Sequence, residues 1–181
     1  MLYPTRTMTL KNGKKATFRS PRKEDAAELL AYLRQTADET DFLLRYPEEI
    51  TMTVEQEETF IERINQSENN YMIICLVDGK HAGNCSLQLN VKRKVRHRGE
   101  VAIALVKECW GMGIGTLMFE EMIRIAREHG KTQLELGMVD GNERGLALYR
   151  KMGFREYGRL PNAFQQKDGT MRDEVLMVRE L

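Results

Sequence analysis

The 181-residue sequence lacks any surplus of one charge: 28 Lys and Arg stand against 27 Asp and Glu. The total charge therefore calls for neither nucleic acid nor a membrane surface as partner. No stretch approaches the roughly 18 to 20 consecutive apolar residues that cross a bilayer. The opening Met1-Leu2-Tyr3-Pro4-Thr5-Arg6 has no apolar signal-peptide core, so a cytoplasmic protein is expected. Cysteine is scarce: Cys75, Cys85 and Cys109 are odd in number, lack CxxC spacing and lie in or beside apolar runs, the pattern of packed free thiols. His81, His97 and His129 have no ligand spacing, so no metal is expected. Repeats, low-complexity tracts and linkers are missing too. The 41% hydrophobic content suits one core, hence a single domain over residues 1–181 with residues 1–14 as an N-terminal hairpin arm.

What is present reads as alternating elements. Thr7 to Leu10 and Lys15 to Arg19 flank Lys11-Asn12-Gly13-Lys14, whose Asn-Gly pair suits a tight hairpin. Ser20-Pro21 is a helix start ahead of Ala26, Leu29, Leu30 and Leu33 at helical spacing, and Thr53 with Gln56 forms a capping box opening a second helix. Strands are expected at Tyr71 to Val77, Ala82 to Val91 and Val101 to Leu105, the first two joined through Asp78-Gly79. In the third, Val101, Ile103 and Leu105 share one face while Ala102 and Ala104 leave the other face open to close packing. Gly113 to His129 carries a strong apolar stripe, with Gly130 as C-cap. A strand over Leu134 to Val139, a short helix over Asn142 to Met152, and strands over Phe154 to Leu160 and Thr170 to Leu181 complete the order β-β-α-α-β-β-β-α-β-α-β-β, a mixed sheet with helices on its faces.

Trp110-Gly111-Met112-Gly113-Ile114-Gly115-Thr116 joins a strand to the strongest helix. Its glycines free backbone N–H groups to converge on an anion at the positive helix end, and a pyrophosphate fits that description. An acyl-CoA site, a dinucleotide site and a ligand-free turn all compete for this segment. The alternating Gly111, Gly113 and Gly115 omit the third glycine of the dinucleotide fingerprint, and no Gly-Lys-Ser/Thr follows.

Gly111-Met112-Gly113-Ile114-Gly115-Thr116, followed by Asn142-Glu143-Arg144-Gly145-Leu146-Ala147-Leu148-Tyr149-Arg150-Lys151-Met152-Gly153-Phe154, resembles the GNAT superfamily of acyl-CoA N-acyltransferases. The likeness is sharpest between Arg98 and Phe154. It implies a single mixed, mostly antiparallel α/β sheet of about seven strands, with a central splayed parallel pair and about four helices. It implies that backbone N–H groups of residues 111 to 116 hold the pyrophosphate of acetyl-CoA, and that strand edges at Ile103, Ala104 and Leu105 pair with the pantetheine arm. Asn142 would lie beside that arm and Tyr149 would face the sulfur. One departure is Trp110, where the family usually carries Gln or Arg.

The reaction so implied is direct attack of an amine on the thioester within a ternary complex. Tyr149 is the expected acid for the departing thiolate, and its alternative role is a half-buried aromatic of its helix. For a base, Glu100 at the start of the central strand is the first candidate and Glu135 on the neighbouring strand the second; both also read as solvated carboxylates. Eight acids between Asp38 and Glu58 face only Arg45, suiting either an acidic wall for cationic acceptors or a solvent-facing helix pair. The basic run Lys92 to Arg98 has no interleaved aromatics and reads as a solvated turn rather than a nucleic-acid contact. The partner is therefore a small-molecule or peptide amine; a homodimer stays open, as does a non-catalytic acyl-CoA sensor.

Overall fold

In the computed structural model, which describes residues 1–181, the chain folds as one eight-stranded sheet carrying four α-helices. The strands are β1 (Arg6–Thr9), β2 (Lys15–Arg19), β3 (Asn70–Val77), β4 (Lys80–Leu89), β5 (Arg98–Leu105), β6 (Gln133–Val139), β7 (Arg155–Gln165) and β8 (Met171–Glu180). The helices are α1 (Ala26–Asp38), α2 (Val54–Gln66), α3 (Ile114–Glu128) and α4 (Glu143–Lys151). The sheet order is β1-β2-β3-β4-β5-β6-β8-β7, antiparallel except for β5 beside β6. Counting the hairpin arm brings the total to eight strands instead of about seven, because β1 pairs along its whole length with β2.

The local signals explain most boundaries. Gly13 (φ +80°) turns the first hairpin, and Asp78 (φ +52°) with Gly79 (φ +80°) turns the β3–β4 hairpin, both in the left-handed region that such turns demand. Thr53 Oγ1 accepts from Gln56 N–H at 3.3 Å, and Gln56 Oε1 accepts from Thr53 N–H at 3.0 Å, the reciprocal pair that starts α2. The first helix departs from the expected start at Ser20-Pro21. Asp25 instead receives the Arg22 N–H at 2.6 Å and a forked Arg19 guanidinium at 2.6 and 2.8 Å. That carboxylate holds a 3₁₀ turn over Lys23–Asp25, and α1 begins only at Ala26. β5 begins at Arg98, inside the basic run, whose preceding residues form an exposed turn.

Alternation along the strands sends α1 and α3 to opposite faces. The Tyr32 hydroxyl of α1 lies 3.0 Å from the side-chain Oδ1 of Asn84, which stands opposite Ala104 on the same face, whereas a side chain at Gly115 of α3 would touch Ile103 and Leu105. The alanine side of β5 thus faces α1 and the branched side packs on α3. The main core runs between these layers and includes Phe18, Leu29, Ile61, Ile73, Ile74, Leu87, Met118, Phe119, Met122, Leu134 and Met177, all nearly inaccessible to water. The three cysteines are buried and unpaired. No helix is long and apolar enough to cross a membrane.

Candidate active site

The parallel pairing of β5 and β6 covers only Arg98 with Gln133, Gly99 with Leu134 and Glu100 with Glu135. Beyond that register the two strands part, and Val101 to Leu105 and Leu136 to Val139 line opposite walls of a cleft of about 1250 Å³. β4 pairs with β5 on the other side, so the unpaired edge of β5 faces the gap. Near its end the β4–β5 ladder is bridged by Tyr32. The Asn84 N–H donates to the Tyr32 hydroxyl at 3.1 Å, and that hydroxyl donates to the Ala104 carbonyl at 2.8 Å. Burial pushes the Tyr32 pKa far up, so the hydroxyl stays a neutral donor in this bridge.

The glycine turn closes one end of the cleft. Gly111 (φ +80°) and Gly113 (φ +91°) adopt left-handed conformations that a side chain would strain, and they turn the chain into α3. The first helical N–H bond is Leu117 to the Gly113 carbonyl at 3.1 Å. The N–H groups of residues 111 to 116 find no acceptor within the protein, leaving a convergent set of donors at the positive end of a 15-residue helix. Around them lie three cations. Lys11 of the first hairpin packs on Gly113 and donates its N–H to the Met112 carbonyl at 3.3 Å; Lys151 Nζ sits 3.0 Å from Thr116 Oγ1; and the Arg144 guanidinium lies 4.8 Å over the Trp110 ring. A diphosphate with a further phosphate fits this set in charge and donor geometry.

The model of the acetyltransferase (GNAT) domain family matches residues 15–155. The chain belongs to the GNAT acetyltransferase family. A GNAT-family acetyltransferase structure from Streptococcus pneumoniae superposes with a TM-score of 0.84 at 30% identity, covering 92% of this chain and 99% of the other. A ribosomal-protein-alanine N-acetyltransferase from Brucella melitensis superposes with a TM-score of 0.77 at 26% identity, over 91% and 99% of the two chains. Among curated proteins, N-alpha-acetyltransferase 30 of Schizosaccharomyces pombe (strain 972 / ATCC 24843) is 28% identical over 91 residues, 50% of this chain. A Bacillus subtilis (strain 168) protein provisionally named phosphinothricin acetyltransferase YwnH is 34% identical over 82 residues, 45% of this chain. The chain spans about half the length of these curated relatives, 61% and 50% respectively.

Within this GNAT domain the predicted site residues separate clearly. Ile103, Ala104, Leu105, Gly111, Gly113, Gly115, Thr116, Asn142 and Tyr149 all line the cleft. The Met112 and Ile114 side chains turn into the protein, leaving only their backbone N–H groups for a ligand. Asn142 caps α4, its Oδ1 accepting from the Gly145 N–H at 2.9 Å. Tyr149 is 9% exposed and edge-on to Phe119 at 5.6 Å, and its hydroxyl has no hydrogen bond within the protein. Burial pushes its pKa up to about 12, which keeps the proton on the oxygen across the physiological range. The Trp110 indole N–H donates to the Leu105 carbonyl at 3.0 Å, tying the glycine turn to the end of β5.

Glu100 is different. It is exposed, lies in the still-paired part of β5 and is absent from the cleft walls, because the strands separate only after it. Glu135 is held by the Arg98 fork and by Gln133, which together draw its carboxyl below the usual carboxylate range against the opposing effect of burial. It too lies outside the cleft. Of the two readings open for the Asp38 to Glu58 segment, an acidic wall or a solvent-facing helix pair, the cleft shows no acidic wall, since none of the segment's eight acids lines it. Phe42, Leu43 and Leu44 line the cleft, while Glu39 accepts the Lys107 N–H at 2.5 Å, Glu48 pairs with Lys167 at 2.6 Å and Glu57 is buried. Sequence reasoning missed Lys11, Tyr32 and Glu174, none of which carries a local signal that distinguishes it from an ordinary turn, core or surface residue, and gave no role to Arg144 within the second motif. No group of three His, Cys, Asp or Glu side chains is arranged to hold a metal ion.

Proposed function

We propose that this protein transfers the acetyl group of acetyl-CoA to an amine by direct attack in a ternary complex. The observation that carries this reading is the convergence of acceptor-free N–H groups at residues 111 to 116 with the edge of β5 and the Tyr149 hydroxyl on one continuous cleft. The thioester is the chemistry the bound coenzyme supplies. The amides at the helix N-terminus and the cations Lys11, Arg144 and Lys151 hold its phosphates. The free edge of β5 at Ile103 to Leu105 orients the arm, and a strand N–H near Ile103 is the donor for charge developing on the carbonyl oxygen. Tyr149, neutral and without a competing partner, protonates the leaving sulfur. Glu100, outside the cleft, takes no part in this scheme.

The acceptor is an amine of a small molecule or a protein terminus. The relatives named as a ribosomal-protein-alanine N-acetyltransferase, an N-alpha-acetyltransferase and a phosphinothricin acetyltransferase support that class without choosing within it. A spectrophotometric thiol-release assay, run beside calorimetric titration with acetyl-CoA, tests the reading. Binding together with amine-dependent thiol release across a panel of polyamines, aminoglycosides, amino acids and peptides is the expected result. Binding without amine-dependent release would instead mark a non-catalytic acyl-CoA sensor.

A further inference from the structure

Two carboxylates line the cleft: Glu143, exposed at the start of α4, and Glu174, half-buried within β8. Glu174 stands opposite Val139 in the β6–β8 ladder, and Gly137, two residues back on β6, shares their face. A Cβ placed on Gly137 would collide with Glu174 Oε1, so this carboxylate oxygen occupies the space over the glycine at the wall of the splay. Glu174 engages in no ion pair, unlike Glu135, which is closed off by Arg98. The alternation that puts Glu135 level with Glu100 puts Gly137 and Glu174 on the alanine side of the sheet, the side of α1. Tyr149 approaches from the α3 side, packed on Phe119. Beside Glu174 the cleft is walled by Phe42, Leu43 and Leu44 from the α1–α2 connection and by Leu160, Ala163 and Phe164 from β7.

Resting on the acetyl-transfer reading above, we infer that Glu174 is the catalytic base for an amine acceptor that carries an apolar body. The carboxylate first takes one proton from the ammonium and passes it to solvent. The neutral nitrogen then forms the C–N bond as the C–S bond breaks. Tyr149 gives its proton to sulfur from the opposite face and regains one, through solvent, from the proton that the nitrogen still has to lose. Of the two protons leaving nitrogen, one thus appears in solvent and one on the thiol. The aromatic and aliphatic walls bury the acceptor's body, and Gly137 is the residue that leaves room for the carboxylate.

The test uses acetyl-CoA with phenethylamine and, separately, spermidine. At about pH 7, Glu174→Gln lowers kcat/KM for phenethylamine by about 100-fold or more, with acetyl-CoA affinity within about twofold of the parent. The deficit shrinks about tenfold per pH unit toward the amine pKa, as solvent supplies neutral amine without the base. Gly137→Ala, which displaces the carboxylate without altering Glu174 itself, lowers the same constant, and the parent protein prefers phenethylamine over spermidine. A Glu174→Gln protein with the parent's rate and pH profile overturns the inference. So does a parent protein that binds acetyl-CoA yet prefers spermidine or leaves phenethylamine untouched. Failure of the parent to bind acetyl-CoA removes the transferase reading itself and this inference with it.

Discussion

Tyr149 and His81 are both buried and both short of partners, yet burial leads them to different consequences. For Tyr149 the hydroxyl faces the cleft, and removing it takes away a proton donor without removing a packing group. Tyr149→Phe therefore lowers kcat by about 100-fold while KM for acetyl-CoA stays within about twofold, as read by steady-state thiol release. For His81 neither ring nitrogen has a hydrogen-bond partner, the nearest carboxylate oxygen being Glu28 Oε2 at 3.9 Å from Nε2, and the ring packs 5.9 Å from Tyr32. Burial lowers its pKa, outweighing the opposing pull of Asp25 and Glu28, while Arg19 adds a smaller push downward. Below about pH 6.5 the unfolded chain takes up a proton that the folded chain refuses until lower pH, so the unfolded state binds more protons and stability falls as pH falls. Urea unfolding from about pH 7.5 to 5.5 registers this decline, and His81→Gln flattens it. Neither consequence is legible at residue level in the sequence: the motif points to Tyr149, but only packing tells that its hydroxyl is free and that His81 is enclosed.

At the scale of elements, local chemistry explains starts and turns better than it explains reach. The Thr53–Gln56 box begins α2 where expected, and Thr53→Ala costs about 1 kcal/mol of global stability by chemical denaturation, because the Gln56 N–H loses its acceptor. Gly130 (φ +66°) likewise stops α3, one position after His129, which is the C-cap residue itself. The misplaced start of α1 came from a capable but unused Ser20-Pro21 signal. The Ser20 hydroxyl instead accepts the Tyr3 N–H at 2.9 Å, and the Arg19–Asp25 fork fixes the turn that follows. β7 was expected to stop at Leu160 but continues to Gln165 across an irregularity between Leu160 and Phe164, where Asn162 has φ +53° and its N–H bonds Asp173 at 3.0 Å. That extension supplies Ala163 and Phe164 to the cleft, and proline followed by asparagine concealed it, since the pair reads as a turn.

For the whole molecule, the sheet consists of two parts, β1 to β5 and β6 with β8 and β7, joined at β5–β6 by only three register pairs before the strands diverge. A ligand filling that gap bonds to both parts and to the helix end that spans them. Acetyl-CoA at about 100 times its Kd therefore raises unfolding free energy by about 2.7 kcal/mol, visible as a thermal shift that NAD does not produce. Amide exchange slows most at residues 101 to 105, 111 to 116 and 136 to 139. The sequence by itself determined the order of elements, the glycine turn with its strong helix, and the pairing of that turn with the Asn142 to Phe154 motif, because each depends on spacing over a few residues. Only the tertiary structure decided where the parallel strands part, and hence that Glu100 falls outside the cleft while Glu174, 37 positions beyond Gly137 in the chain, lies over that glycine. The reason is geometric: periodicity assigns a side chain to a face of its own strand, but which strand lies beside it is set by long-range register and sheet twist.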